Sequence, residues 1–215
     1  MMRGTDHIRA VNALQLTKLS GCVLIPLKGK RPIHKDWTTR TYPSATRVIA
    51  LCERKKLNVG VRLPADIVVI DKDPRNGGVE GWDNLCFEFG LDETIFPCTI
   101  TGGGGRHYWA RKPADVPVVA KLKEFPGVDF KSKGGQVVAP GSIHPDTKHP
   151  YRWDEDAPPL EDIPELPAAL LSAITRPELP ASTATGGQLS ADDAAKALAR
   201  LDPTDFRDHD RWLRL

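Results

Sequence analysis

The sequence predicts an α+β protein in which short strands are joined by tight links and flanked by amphipathic helices. Three observations favour this class. Runs of β-branched and aromatic residues recur along the chain and end at Gly, Pro or Asn. Apolar residues recur at helical spacing in 6–20, 44–56 and 78–89. The composition, 40% hydrophobic and 27% charged, is ordinary for a soluble globular protein.

The elements follow in order along the chain. Helices are expected over 6–20, from a cap at Ser44 to about Lys56, over 78–89 and over 166–174. Strands are expected over 22–26, 58–63, 67–73, 97–101, 106–111, 127–131, 136–139 and 151–153. The tight link 64–66 predicts that the strands on either side of it form an antiparallel pair. The Gly134-Gly135 turn likewise predicts a hairpin that carries Asp129.

The strand 67–73 ends in two acids. Because side chains alternate along a strand, Asp71 and Asp73 point to one face, roughly 6.6 Å apart along the chain. Such a pair can hold a divalent metal, although an Asp at this place can also simply cap the helix that follows. An EF-hand calcium loop does not fit, because Asn76 and Trp82 stand where Gly and Glu are required.

Four glycines, 102–105, precede His107 in the next predicted hairpin. They can bring backbone N–H groups close to an anion, yet the pattern is neither a P-loop nor a Rossmann turn, and a flexible hairpin tip explains it equally well. Strand alternation places His107, Trp109 and Arg111 on one face and Tyr108 with Ala110 on the other. Beside the glycines and Arg106, His107 becomes a candidate phosphate contact rather than a bystander.

Asp129 is the best third carboxylate, because an acid between Val128 and Phe130 in a strand costs free energy unless it is paired or bound to metal. Alternation places Lys131 on its face. Farther on, Ser142 and His144 occupy a Pro/Gly-rich turn, where a ligand contact and a purely structural role stay open.

Net charge is only +2, but ten Lys and Arg lie between Lys28 and Arg62 against two acids. A basic N-terminal face suggests a polyanionic partner, nucleotide or nucleic acid, whereas a solvated surface is the simpler alternative. The loop before Trp37 contains the candidate phosphate contacts Lys28, Lys30, Arg31 and Lys35. Trp37 itself either stacks on a ligand or packs on the core.

The four cysteines are scattered along the chain, so their spacing predicts neither a zinc site nor a disulfide framework and is consistent with the reducing cytoplasm. The sequence contains no apolar run of the length that a membrane span needs, so we expect no membrane partner. Segment 176–190 has linker composition. We therefore expect a catalytic domain over 1–175, a linker over 176–190, and over 191–215 the start of a small helical C-terminal region of a longer protein.

The motifs occur in an order that resembles a known family. They are Asp71-Lys72-Asp73-Pro74 with Gly77-Gly78, Thr101 to His107, Gly127-Val128-Asp129, Gly134 to Pro145, and Tyr151-Arg152-Trp153. Together they resemble the N-terminal catalytic domain of bifunctional primase-polymerases of plasmids and phages, in the archaeo-eukaryotic primase superfamily. Small departures are Gly103 for a frequent Ser, Ala110 for an aromatic and Gly141 for a frequent Pro. The cysteine-based zinc element of some relatives is absent.

The resemblance implies an RNA-recognition-like antiparallel or mixed sheet flanked by helices, and template-directed nucleotidyl transfer on single-stranded DNA. Asp71, Asp73 and Asp129 would hold two Mg²⁺ or Mn²⁺ ions. The incoming dNTP or NTP would be bound by residues of several motifs: His107, Arg106, Gly104, Gly105, Lys131, Ser142 and His144. The partners would be a template, a primer and a helicase region that follows in the same polypeptide.

Two other functions fit parts of the pattern. A metal-dependent phosphodiesterase or nuclease also uses acids with a His. A non-catalytic single-stranded nucleic-acid-binding module would use the basic residues alone, but it has no reason to keep three acids facing anionic phosphate.

Overall fold

The computed structural model describes residues 13–177 and 190–199. The chain divides into two units, Met1–Arg176 and Pro177–Leu215, and the second contributes a helix, α4, at Ala191–Ala199. Residues 1–12, which include the first part of the helix predicted over 6–20, most of the predicted linker and the stretch 200–215 lie outside the described residues. In the remainder of the first predicted helix, Gln15–Lys18 forms a 3₁₀ turn.

The described part of the first unit alternates short strands with three α-helices, which confirms the α+β class. The strands are β1 Val23–Lys28, β2 Arg31–Pro32, β3 Asn58–Arg62, β4 Ile67–Lys72, β5 Cys98–Ile100, β6 Arg106–Arg111, β7 Val128–Lys131, β8 Gln136–Val138 and β9 Arg152–Trp153. The helices are α1 Ala45–Lys55, α2 Gly78–Phe89 and α3 Ala168–Ile174. None of the helices in the described ranges is both long and apolar enough to cross a membrane.

The strands form two antiparallel sheets, which we call sheet A and sheet B. Sheet A has the order β2-β1-β3-β8, and sheet B has the order β7-β4-β6-β5-β9. The predicted β3–β4 pair is therefore wrong, since link 64–66 carries the chain from sheet A to sheet B. The predicted hairpin of Asp129 is wrong as well, because β7 and β8 belong to different sheets.

The apolar pattern of β4 explains why it does not pair with β3. Ile67 and Val69 lie in one core cluster, whereas Val68 and Ile70 lie in another. A strand that is apolar on both faces gains most when both faces are covered, as in the interior of a sheet. Its place between β6 and β7 achieves this and overrides the local tendency to form a hairpin.

Sheet B is consequently the middle layer of the first unit. On one face Val68, Ile70 and Tyr108 pack against residues of α2 and α3, including Trp82, Leu85 and Leu170. On the other face Ile67, Val69 and Trp109 pack against Leu24 and Val61 of sheet A and against α1. The predicted alternation in β6 is confirmed. Trp37 packs against the core cluster on the remaining side of sheet A.

Close backbone contacts fix the end of β4, the start of α2 and the start of β7 relative to one another. The N–H of Asp73 donates to the carbonyl of Gly127 (2.8 Å), and the N–H of Gly78 donates to the carbonyl of Asp73 (3.0 Å). A Cβ on Gly81 would run into the carbonyl of Pro126. A glycine is therefore required where α2 crosses the segment that leads into β7.

We expect Gly81→Ala to destabilise the protein by ~1–3 kcal/mol, the usual cost of overpacking. The sign of the change in unfolding free energy shows whether Gly81 is crowded. Alanine is the better helix former by ~1 kcal/mol, so the same substitution on an uncrowded helix face would stabilise the protein. Urea unfolding followed by circular dichroism measures the change, with Asn84→Ala on the exposed face of α2 as the control. Equal stability of Gly81→Ala and the wild type would contradict the close approach.

Candidate functional site

A row of polar side chains crosses sheet B at one end of its strands. Asp71 of β4 is paired with Asp129 of β7 on one side and with His107 of β6 on the other. His107 is paired in turn with Thr99 of β5. Since directly opposite residues point to the same face of a sheet, the four side chains lie together on the face that looks toward sheet A. The strand register thus joins three sequence-predicted residues that are distant along the chain.

A cleft of about 270 Å³ opens beside this row. Residues of both sheets line it, since Gln136, Val137 and Val138 come from β8 of sheet A. Its charged groups are three acids, Asp71, Asp73 and Asp129, and three cations, Lys30, Arg75 and Lys131. Lys72 also borders the cleft, but its ammonium lies over the ring of Trp82 on the opposite face of sheet B. This volume lies just under the ~300–1,000 Å³ of small-molecule pockets, so the cleft is suited to part of a larger charged ligand.

Asp71 is the most enclosed of the three acids. Its Oδ2 accepts a hydrogen bond from the ammonium of Lys131, and its Oδ1 lies 3.6 Å from Nε2 of His107. Burial raises the pKa of Asp71, but the nearby His107 and Lys131 together outweigh burial and the net pKa is lowered. Asp71 is therefore a carboxylate at neutral pH.

His107 is neutral at pH 7. Its side chain is almost fully buried, and this burial lowers its pKa to about 4. Lys131 is consequently the cation that stabilises Asp71 under these conditions. Among the residues that the structure describes, no group hydrogen-bonds to the buried Nδ1 of His107. A buried polar atom left in this state marks a position where a ligand or water can bind.

Asp73 has a different environment from Asp71. Its carboxylate accepts hydrogen bonds from the backbone N–H of Arg75 (3.1 Å), from the Arg75 guanidinium (3.1 Å) and from the Asn76 amide (2.8 Å). These hydrogen bonds, foremost that of the Arg75 side chain, lower the pKa of Asp73 despite its partial burial. The capping role considered for this pair of acids thus describes Asp73 in this structure, but not Asp71.

Other predicted nucleotide contacts are divided between the cleft and the rest of the protein. Lys131 lines the cleft, whereas Arg106 lies on the opposite face of sheet B and pairs with Asp154. The hydroxyl of Ser142 exchanges two hydrogen bonds of 2.9 Å with the backbone of Val59. His144 is buried beside the ring of Tyr151, with 6.1 Å between the ring centroids.

The glycine loop forms a closed turn at the cleft rim. The N–H of Gly104 donates to the carbonyl of Thr101 (3.0 Å), and the N–H of Gly105 donates to the Thr101 hydroxyl (2.9 Å). Gly105 lines the cleft, and a Cβ there would strike the carbonyl of Lys72. These two amides serve the turn itself, so they are not free to bind an anion in this arrangement.

Of the four basic residues predicted in the N-terminal loop, Lys30 lines the cleft. The amide of Gln136 donates to the carbonyl of Lys30 (3.0 Å) and so ties the β1–β2 turn to β8. Lys28, Arg31 and Lys35 are exposed and do not line the cleft.

Sequence reasoning missed several residues that line the cleft, among them Arg75, Lys72 and Tyr151. A signal existed for Arg75, which lies two residues after Asp73 in a turn. A signal also existed for Tyr151, which begins the motif Tyr151-Arg152-Trp153, but its position at the cleft depends on the pairing of the edge strand β9 with β5 in sheet B.

The donor chemistry of the cleft fits a hard divalent cation. Asp71 and Asp129 lie directly opposite each other, and like charges in that position repel unless a cation stands nearby. Carboxylate oxygens are the ligands that Mg²⁺ and Mn²⁺ prefer. In ranges 13–177 and 190–199, however, no three acidic, His or Cys side chains are grouped closely enough to hold an ion. Lys131 and Arg75 pair with Asp71 and Asp73, so an ion has to compete with them.

The α+β fold and this cleft, with acids and cations at one end of an antiparallel sheet, are features of proteins that bind charged ligands. The chain belongs to the Prim-Pol family, described as bifunctional DNA primase/polymerase, N-terminal, whose family model matches residues 13–169. The family implies a nucleotidyltransferase with DNA and nucleotides as substrates. No curated protein matches the chain.

We expect Lys131 and Asp71 to be coupled by ~0.5–3 kcal/mol in a double-mutant cycle. Lys131→Met should lower the free energy of unfolding, because it leaves the partly buried Asp71 opposite Asp129 without a cation. In the Asp71→Asn background the same change should cost little. Urea unfolding in metal-free buffer provides the four values, and Lys133→Met, on an exposed lysine, is the control. A cycle without coupling would contradict the ion pair.

Proposed function

We propose that the protein catalyses template-directed nucleotidyl transfer on single-stranded DNA, as primer synthesis, DNA polymerisation or both, in plasmid or phage replication. One observation carries the proposal: Asp71 and Asp129 face each other beside His107 in a cation-lined cleft of a Prim-Pol family member. The proposal includes an archaeo-eukaryotic primase fold with an RNA-recognition-like sheet.

Asp71, Asp73 and Asp129 are the residues proposed to hold two Mg²⁺ or Mn²⁺ ions. When bound, such ions activate the attacking 3′-oxygen and stabilise the phosphates of the nucleotide. Metal ligands of this kind have to be ionised, and the lowered pKa values of Asp71 and Asp73 keep both groups ionised even below the usual pKa of an aspartate. Without an ion, Lys131 and Arg75 neutralise the charges of Asp71 and Asp73. When these acids bind an ion, the two cations become available to phosphate.

The cations of the cleft are proposed to bind the triphosphate. Lys30, Arg75 and Lys131 come from three separate parts of the chain and line one cavity with the acids. Once an ion on the acids has released Arg75 and Lys131, the three cations stabilise the negative charge that shifts from the nucleotide to the leaving pyrophosphate. His107, neutral at pH 7, contributes a hydrogen bond rather than a charge.

The exposed Lys28, Arg31 and Lys35 are proposed to contact the phosphates of the template. Contacts of this kind position a strand without reading its sequence, and they weaken as salt increases. Their place in the chain close to Lys30, which lines the cleft, supports a path for the strand next to the nucleotide.

We expect Asp71→Asn and Asp129→Asn each to reduce primer extension by more than ~100-fold, because each removes a charge that a metal ligand needs. The assay contains a labelled primer on a single-stranded template, nucleotides and Mn²⁺ or Mg²⁺. Asp83→Asn, an exposed acid on α2, is the matched control. Near-normal extension by either variant would remove that residue from the catalytic set.

The same assay distinguishes the two other functions. Metal-dependent shortening of the primer indicates a nuclease. If the protein binds single-stranded DNA but forms no product, and if Asp71→Asn and Asp129→Asn do not change this binding, the protein is a non-catalytic module.

We expect His107→Asn to raise KM for the nucleotide by about tenfold while kcat changes less, since a lost hydrogen bond to a charged group costs ~1.5–3 kcal/mol. Steady-state primer extension at varied nucleotide concentration measures both constants. His149→Asn, on an exposed histidine, is the control, and thermal melting verifies the fold. An unchanged KM would argue against a contact between His107 and the nucleotide.

A further inference from the structure

Another cavity lies beside the outer edge of β7, and we call it the β7 cavity. Its volume is about 340 Å³, against about 270 Å³ for the cleft. Segment 112–120, the turn between β7 and β8, and Arg176 at the end of the first unit form its walls. Among the residues that the structure describes, no Asp or Glu lines it, whereas four cations do: Lys112, Lys131, Lys133 and Arg176. The β7 cavity therefore combines positive charge with the absence of acids that could hold a metal ion.

Lys112 supplies a fixed positive charge to this cavity. Its side chain is buried, with 4% of the residue exposed. Backbone carbonyls, rather than a carboxylate, accept hydrogen bonds from its ammonium: those of Ala65 (2.5 Å), Val116 (2.7 Å) and Pro113 (3.0 Å). These three bonds use all the donors of the ammonium, and carbonyl groups carry no net charge. The positive charge of Lys112 is thus held in place without being cancelled by these contacts.

Two other cations are free to contact a ligand directly. Lys133 and Arg176 are both exposed. Arg176 donates one N–H to the carbonyl of Val118 (3.4 Å), and a guanidinium has five N–H donors in total. Lys131 differs from these residues, because its ammonium pairs with Asp71 in the cleft. Lys133 and Arg176 are accordingly the candidate anion contacts of the β7 cavity.

The rest of the lining is largely apolar and is fixed by backbone hydrogen bonds. The N–H of Phe130 donates to the carbonyl of Ala120 (2.7 Å), which ties the segment to β7. The N–H of Arg176 donates to the carbonyl of Pro117 (2.8 Å), which ties it to the chain after α3. A preformed cavity with apolar surface and cations is suited to a ligand that carries both an apolar face and an anionic group, as a nucleotide unit does. The apolar residues are Val116, Pro117, Val118, Ala120 and Phe130.

We propose that the β7 cavity binds one nucleotide unit of the single-stranded DNA, with the phosphate at Lys133 and Arg176 and the base or sugar on the apolar lining. A nucleoside triphosphate is accompanied by metal ions, which need acids, whereas a phosphodiester needs only cations. Lys131 of β7 borders both the β7 cavity and the cleft, so a strand that leaves the cleft reaches this cavity by crossing one edge strand. The choice of a DNA strand as the ligand rests on the proposed function.

The probe is a fluorescently labelled oligothymidylate, and its affinity for the whole chain is measured by anisotropy in metal-free buffer at several salt concentrations. The double variant Lys133→Ala/Arg176→Ala should bind it about tenfold more weakly at low salt. The slope of log K against log salt should become shallower by ~0.7 for each lost phosphate contact. Lys55→Ala, on an exposed lysine of α1, is the control and should leave the slope unchanged. Thermal melting verifies the fold of each variant.

Ala120→Glu and Ala120→Gln form a matched pair, because the two new side chains have nearly the same size and differ in charge. Ala120 is exposed and lines the β7 cavity, and it contacts β7 through its backbone carbonyl, so both variants should fold. The Glu variant should bind the oligothymidylate several-fold more weakly than the Gln variant, since a carboxylate repels the phosphate. Equal affinity of the two variants would contradict the proposal.

A free nucleotide has the same chemistry as one unit of a strand, and calorimetric titration with a dNTP and Mg²⁺ distinguishes the two sources. The double variant should bind the dNTP as the wild type does, because the proposed function places the triphosphate in the cleft. Weaker dNTP binding together with unchanged oligothymidylate binding would overturn the assignment to the strand. Unchanged affinity for both ligands would overturn the β7 cavity as a binding site.

The β7 cavity and the proposed function can fail separately. If primers are not extended but the double variant and Ala120→Glu both bind oligothymidylate more weakly, the cavity stands as a contact for single-stranded DNA. If primers are extended and these variants keep the wild-type affinity and salt dependence, the polymerase stands without this contact.

Discussion

The cleft is built around the enclosed negative charge of Asp71, which needs a cation close by. Its carboxylate is enclosed by the sheet, faces a second carboxylate on β7 and lies beside a histidine that is neutral at pH 7. A charge in this position is tolerable only with a nearby cation, which Lys131 supplies from the same strand as Asp129. Lys131 is two residues from Asp129, so strand alternation brings the repelling acid and the neutralising cation to the same face.

The two-sheet architecture explains how such a site can remain open. Farther along the same face of sheet B, Ile67, Val69 and Trp109 are covered by sheet A and α1, which provides the stabilising apolar burial. The polar row at the end of the strands is therefore not needed for the core. Charged side chains can occupy this end because the adjacent apolar layer supplies the stability that they lack.

Turns rather than strands contribute the remaining cations. Arg75 follows β4 in a turn capped by Asp73, and Lys30 belongs to the β1–β2 turn, which Gln136 ties to β8. Glycines permit the close approaches that bring these turns together, as at Gly105 against the carbonyl of Lys72 and at Gly102 against the carbonyl of His149. The glycine loop thus acts chiefly by what it allows to approach, since two of its amides are already used within the turn.

The sequence by itself determined the α+β class, most element positions, the faces of β6 and β7, and the acids Asp71, Asp73 and Asp129 as candidate metal ligands. These follow from local patterns, because alternation and helical spacing act within a few residues. Only the tertiary structure decided that β3 and β4 separate into two sheets, that Arg106 faces away from the cleft, and that Arg75 and Tyr151 line it. The reason is physical: pairing partners are chosen by how both faces of β4 are buried, and this depends on residues far away in the chain.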